Sequence, residues 1–149
     1  MLIYHALRNL AGSGDIAAIQ HASRSFDKRT QFPGQSYLHS MRDPGQSPQS
    51  AIQERNHFVA SRLGEAHELE LSGDHAGALR AFGEAIHPEM DRTSPAHTDE
   101  NGNPRVWVPL PGPAGAHSQA ESGRPSRQVV QENDRLIQGA YQFVFGRPQ

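Results

Sequence analysis

The chain has 149 residues, a formal net charge of −2, nine histidines and no cysteine, so disulfides and thiolate metal ligands are excluded and any metal must be held by His, Asp or Glu. The near-neutral charge gives no basic footprint for duplex nucleic acid, and we expect no such partner. Neither a secretory signal pattern nor an apolar stretch of about 20 residues is visible, so we expect no transmembrane segment and a protein that is cytoplasmic as made.

The first part of the chain is predicted to contain two short helices and a loop. Residues 1–26 show weak helical periodicity that breaks at 12–14, and Asp15 is the predicted N-cap of the second helix. Residues 27–47 are rich in Gly, Pro, Ser and Gln, which is typical of a loop, and this loop carries His39.

The middle of the chain has the clearest helical pattern. Ser47 can cap a helix that has Pro48 in its first turn and ends at 72–73, and Asp74 can cap the next helix. Apolar residues recur at helical spacing in both segments, which predicts an antiparallel helical hairpin with core on its inner faces. These residues are Ile52, Val59, Leu63, Ala66 and Leu69 in the first helix, and Leu79, Phe82 and Ile86 in the second.

The last part of the chain is predicted to be a long loop and a final helix. Residues 98–127 are polar and rich in Pro and Gly, with VWVPLPGP as their only apolar patch, and we interpret them as an active-site loop. An amphipathic pattern from Val129 to Val144 predicts a helix that Gly146 ends. The sequence therefore predicts an all-α fold, a bundle of about five helices with long loops, in one domain covering residues 1–149.

The residues most suited to chemistry follow the hairpin. His87 and Asp91 lie four residues apart and share one helix face, and His97 returns after a proline-directed turn. His117 and Glu121 form a second pair at the same spacing. These residue types suit a divalent metal ion, zinc above all.

Two further interpretations concern the surroundings of this motif. Pro88 cannot donate a backbone hydrogen bond to Glu84, so we expect it to kink or restart the helix after His87. Trp107 is interpreted as a core or cleft-wall residue. The remaining histidines are interpreted as solvated or locally hydrogen-bonded side chains that bind no metal: His21, His57, His67 and His75.

The spacing His-x3-Asp-x3-Pro-x-His resembles that of the zinc-dependent phospholipases C of bacilli and of the single-strand nucleases that share their fold. A loop histidine ahead of two helices, a later His-x3-Glu pair and the closing segment VVQENDRLIQGAYQFVF add to the resemblance. It implies that His39, His87 and Asp91 hold one zinc, with Asp27 as a further ligand, and that a second zinc is held by three later residues: His97, His117 and Glu121.

A third zinc in this family uses a histidine of the first helix together with the bridging aspartate, and His5 is the candidate here. The resemblance implies two or three zinc ions and phospholipase C-type cleavage of phospholipid headgroups, with contact to a membrane surface. Asp91 would bridge the ions, and Asp27 would hold or deprotonate a water molecule. A zinc-dependent nuclease of the same fold is the alternative.

The chain also resembles the C-terminal toxin domains of bacterial polymorphic toxins of the Rhs-repeat type. This resemblance implies an antibacterial effector that is delivered as part of a larger secreted protein and an immunity protein that blocks its site. A non-catalytic helical interaction module, with histidines that bind metal structurally or not at all, is the alternative from another class of function.

Overall fold

A computed structural model of the chain describes residues 2–107 and 124–146. Apart from two isolated β-bridges, the regular structure in these ranges is helical, which confirms the predicted all-α class. No helix in the described ranges is long and apolar enough to cross a membrane. The elements are α1 (Leu2–Leu7), α2 (Ser13–Arg29), a 3-10 helix (Ser36–His39), α3 (Pro48–Leu71), α4 (His75–Asp91) and α5 (Arg127–Phe145).

The helical hairpin of α3 and α4 forms as the sequence predicts. The Ser47 hydroxyl accepts a hydrogen bond from the Ser50 N–H at 3.1 Å, and the Asp74 carboxylate accepts one from the Gly77 N–H at 2.9 Å. Each side chain satisfies a donor that the first turn of its helix leaves without a helical partner. The predicted apolar stripe of α4 is buried: Leu79, Phe82 and Ile86.

Helix α2 packs beside α4 and runs in the same direction. Asp15 contacts His75 where the two helices begin, and Ser23 contacts His87 near their ends. The helices approach closely at Gly83, where a Cβ atom would lie 2.7 Å from both the Ala22 Cβ and the Ile19 carbonyl oxygen. Because glycine has no Cβ, this packing brings the last turns of α2 and α4 side by side.

Helices α1 and α5 close the core on the other side. Phe82 of α4 lies at its centre, fully buried, with its ring edge-on to Tyr141 and Phe145 of α5. Burying this apolar surface is the main source of stability in a chain without disulfides. The core cluster also contains Ile3, Leu7, Ile16, Ile19, Ala66, Leu79, Ile86, Ile137 and Val144.

The predicted N-cap of α2 is wrong. Gly12 occupies that position and has no side chain to cap the helix, while Asp15 lies in the first turn and pairs with His75. The predicted 27–47 loop is too long, because α2 continues to Arg29 and Ser36–His39 form a 3-10 helix. Helix α4 continues through Pro88 to Asp91 and does not restart. The proline removes one backbone donor, but its carbonyl oxygen still accepts from the Arg92 N–H at 3.0 Å.

The described part of the predicted 98–127 loop is held in place by backbone pairing. Thr98 and Pro104 form an antiparallel bridge, and Val106 forms a parallel bridge with Arg42, which precedes α3. This pairing fixes the position of Trp107, whose N–H donates to the Arg42 carbonyl oxygen at 2.8 Å. Residues 108–123 lie outside the described ranges.

Candidate metal centre

Four side chains converge where the ends of α2 and α4 meet the 3-10 helix. Asp27 comes from the last turns of α2, His39 ends the 3-10 helix, and His87 and Asp91 lie one turn apart at the end of α4. Asp27, His39 and His87 each offer one ligand atom, and these three atoms lie within 4.8 Å of one another. Within the described residues, this group could hold a metal ion.

The distances show how closely the four groups approach. His39 Nδ1 lies 3.5 Å from Asp27 Oδ1 and 3.2 Å from Asp91 Oδ2. His87 Nε2 lies 3.3 Å and 3.1 Å from the same two oxygens. The two imidazole nitrogens are 3.3 Å apart. Both carboxylates therefore contact the same pair of ring nitrogens.

Hydrogen bonds outside the cluster orient two of the histidine rings. His39 Nε2 lies 2.9 Å from the Thr30 carbonyl oxygen, and His97 Nδ1 lies 2.7 Å from the His39 carbonyl oxygen. A carbonyl oxygen only accepts, so each of these nitrogens carries the hydrogen and donates it. When neutral, His39 therefore turns the lone pair of Nδ1 toward His87 and the carboxylates, which is the orientation that a metal ligand needs.

The electrostatics of the cluster favour a cation among the four groups. Burial acts to lower the pKa of His87, but the carboxylates of Asp91 and Asp27 outweigh burial and raise that pKa to about 10. Burial acts to raise the pKa of Asp91, yet His87, His97 and His39 hold it well below its usual range. The two carboxylates thus stabilise positive charge, which a proton or a divalent ion can supply.

The members of the cluster differ in exposure. The Asp27 side chain is 49% exposed, whereas that of Asp91 is 14% exposed. Phe26 lies edge-on to the His87 ring at 5.7 Å between centroids, and Trp107 lies 6.3 Å from the His39 ring. Both aromatic rings therefore lie beside the two histidines, and Asp27 is the exposed member of the cluster.

The other predicted ligands have different positions. His97 is buried, with Nδ1 3.8 Å from Asp91 Oδ2, at the edge of the cluster. The predicted ligands His117 and Glu121 lie outside the described residues. The structure does not bring His5 to Asp91: α1 packs against α5, and this directs the His5 ring to the Asp134 carboxylate at 2.9 Å.

Sequence reasoning did not find Ser23 and Thr30, which contact His87 and His39. Each lies within four residues of Asp27, but no spacing rule connects Ser23 with a histidine 64 residues later, or Thr30 with one that lies beyond a turn, nine residues on. Asp27 itself lies on α2 and not in the predicted loop. His75 bonds locally to Glu70, as predicted, and also to Asp15, 60 residues away on α2. The Nδ1 of His67 is buried and has no hydrogen-bond partner among the described residues.

Comparison of the chain with protein-family models, with curated proteins and with solved structures finds no match. The resemblances to zinc phospholipases C and to toxin domains therefore remain predictions.

Proposed function

We propose that the chain is a zinc-dependent phosphoric ester hydrolase of the phospholipase C type. The main support for this proposal is the contact between His39 Nδ1 and His87 Nε2, which lie 3.3 Å apart. The Thr30 carbonyl orients His39 with the Nδ1 lone pair toward His87 Nε2, so a proton on His87 or a metal ion that displaces it can lie between the two nitrogens. Two imidazoles with carboxylates are a ligand set that zinc prefers.

The spacing of the ligand atoms is compatible with zinc, and the two imidazole nitrogens favour zinc over calcium and magnesium, which prefer oxygen ligands. Nitrogen and oxygen ligands about 2.0–2.1 Å from a tetrahedral zinc lie about 3.3–3.4 Å from one another. The triangle of Asp27 Oδ1, His39 Nδ1 and His87 Nε2 has sides of 3.5, 3.3 and 3.3 Å. Asp91 Oδ2 lies 3.2 and 3.1 Å from the two nitrogens but is not one of the three atoms that all lie within 4.8 Å of one another, so Asp27 and Asp91 are alternative third ligands beside the two histidines.

A second zinc is proposed from the resemblance, which assigns His97 as one of its ligands and Asp91 as the residue that bridges the two ions. His97 is buried at the edge of the cluster, with Nδ1 3.8 Å from Asp91 Oδ2. Under this proposal, His117 and Glu121 complete the second site, as the resemblance implies.

The residues of the chain have separate tasks in the proposed reaction. A zinc ion bound here would supply electrophilic activation of the phosphate ester and a water-derived nucleophile near neutral pH. Asp27 is the most exposed member of the cluster. With Asp91 as the third ligand, the Asp27 carboxylate would orient the attacking water at the open position and accept its proton. His39, His87 and Asp91 would hold the ion, while Phe26 and Trp107 limit access of bulk water.

A phospholipid is the proposed substrate because the motif resembles that of the zinc phospholipases C. Phe32 is 64% exposed in the turn that follows α2, directly after Gln31, whose side chain donates to Asp27. An aromatic ring exposed at this position is compatible with contact to a lipid surface. The net charge of −2 gives no electrostatic attraction to a polynucleotide.

Metal binding is tested on protein that is purified without a histidine tag, stripped with a chelator and titrated with zinc. We expect one to two tightly bound zinc ions for each chain by mass spectrometry. Asp91→Asn should lose zinc and Asp134→Asn, the matched control on α5, should not. A wild-type chain that takes up no zinc would overturn the proposal.

Activity is tested on phosphatidylcholine vesicles, with release of the phosphorylated headgroup as the readout. Zinc should restore hydrolysis to the stripped enzyme, and Asp91→Asn should reduce it more than about 100-fold, beyond the effect typical of residues that only orient a ligand. A zinc-loaded enzyme that hydrolyses single-stranded DNA instead of lipid would replace the phospholipase proposal with the nuclease. Zinc binding without hydrolysis of either substrate would leave a structural metal site.

A further inference from the structure

We infer that Ser23 is a positioning residue of the metal centre, which fixes the His87 ring with Nε2 available as the ligand atom. This inference rests on the proposed zinc site and adds to it a residue that neither the motif nor the ligand set contains. Ser23 is buried, with 3% of its surface exposed, and its Oγ lies 3.1 Å from His87 Nδ1.

The contact between Ser23 and His87 links α2 to a candidate ligand on α4. Ser23 lies one helical turn before Asp27, so a single helix supplies both a candidate ligand and the group that orients a second ligand on α4. The close packing of α2 on α4 at Gly83 holds this hydroxyl against the ring. Partners behind a ligand imidazole set which nitrogen carries the hydrogen and how the ring is turned.

The hydrogen-bond partner of His87 can be removed by substitution, whereas the main-chain partner of His39 cannot. His39 Nε2 donates to a main-chain carbonyl oxygen, that of Thr30, which no substitution removes. His87 Nδ1 depends on a side-chain hydroxyl, which can either accept or donate. When it accepts, Nδ1 carries the hydrogen and the Nε2 lone pair faces the two carboxylates and His39. Removal of the hydroxyl leaves the ring free to place its hydrogen on Nε2, inside the ligand cluster.

The experiment compares zinc affinity by competition with a chromophoric chelator for the wild type and three variants. Ser23→Ala should bind zinc about 10- to 100-fold more weakly, the range typical for loss of a group that orients a ligand. Ser23→Thr keeps a hydroxyl group and should recover most of the affinity. Ser25→Ala, an exposed serine on the same helix, should bind as the wild type does.

A second measurement separates positioning from a merely structural role. Nitrogen-15 NMR of the His87 ring in the metal-free wild type at high pH, where the ring is neutral, should show hydrogen on Nδ1. In metal-free Ser23→Ala at the same pH, hydrogen should move toward Nε2, while the helical circular dichroism stays unchanged. Folded Ser23→Ala with a zinc Kd within about twofold of the wild-type value would overturn this inference and leave the proposed function intact. A wild type that binds no zinc overturns both.

Discussion

The hydroxyl of Ser40 donates to the carbonyl oxygen of Pro88, and this bond joins the residue after His39 to the residue after His87. Ser40 is buried and has a φ of 54°, in the left-handed region that residues other than glycine seldom adopt. The bond therefore holds the two imidazoles at their observed separation in spite of local backbone strain.

At position 40, glycine should be less destabilising than alanine, which is the reverse of their usual order in helices. Ser40→Ala loses the hydrogen bond and keeps the strained φ, so we expect it to lower the free energy of unfolding by about 1–2 kcal/mol. Ser40→Gly loses the same bond, but glycine adopts this φ without steric strain. It should therefore lower the free energy of unfolding by less than Ser40→Ala does. Urea unfolding measures both values. A larger loss for glycine, the order typical of ordinary helical backbone, would contradict the role given to this φ.

The close approach of α2 and α4 predicts that Gly83→Ala is destabilising. The new Cβ would lie 2.7 Å from the Ala22 Cβ and the Ile19 carbonyl oxygen, so the helices must separate, at a cost of about 1–3 kcal/mol. Gly64→Ala in α3 is the matched control, because its Cβ would meet nothing within 4 Å and should stabilise the helix by up to about 1 kcal/mol. Thermal unfolding of the two variants should therefore shift in opposite directions, and equal shifts would contradict this packing.

We expect His75 to make a pH-dependent contribution to stability. It lies at the N-terminal ends of α2 and α4, away from the candidate metal centre. Hydrogen bonds to Glu70 and Asp15 raise its pKa. Since the pKa is higher in the folded than in the unfolded chain, the stabilisation is fully present below about pH 6.5 and disappears as pH rises through the folded-state pKa. Because the side chain is 48% exposed, we expect the effect to stay below about 1 kcal/mol.

The measurement is urea unfolding of the wild type and His75→Asn between pH 5 and pH 9. The difference between the two proteins should be largest near pH 5–6 and shrink as pH rises. His57→Asn, which replaces an exposed histidine of α3, provides the control and should follow the wild-type curve. A His75→Asn curve that runs parallel to the wild type at every pH would refute the prediction.

The pKa of His87 predicts that zinc binding releases a proton. In the metal-free protein this pKa is raised to about 10, so the ring is protonated at neutral pH and must lose that proton to become a ligand. Apparent zinc affinity should rise about tenfold for each pH unit between about 7 and 9. Calorimetry at pH 7 in two buffers with different ionisation enthalpies should give about one released proton for each zinc bound here. Equal heats in the two buffers would contradict this.

The parts of the structure that local rules determine were predictable from the sequence. The capping residues Ser47 and Asp74 and the apolar stripe of α4 establish the hairpin. The contact between His87 and Asp91 follows from their spacing of four residues on one helix. Pro88 argued against this geometry, but a proline near the end of a helix removes a single backbone bond, which the surrounding packing tolerates.

The parts of the structure that depend on tertiary packing could not be predicted from local sequence rules. The composition of residues 27–47 predicts a loop that includes Asp27, but packing against α4 extends α2 to Arg29. The contact of His5 with Asp134 depends on how α1 docks on α5, which spacing along the chain does not reveal. The contacts of Ser23 and Thr30 with the histidines likewise exist only after the helices have packed.

The packing of α2 beside α4 also has a consequence for the order in which contacts form during folding. The α3–α4 hairpin forms across a short turn, whereas Ser23 and His87 are 64 residues apart in the chain. Closing a longer segment costs more conformational entropy, so contacts of this separation tend to be made late. We therefore expect a refolding chain to reach a stable hairpin first and to assemble its candidate metal ligands only when α2 docks, at the final step toward the native state.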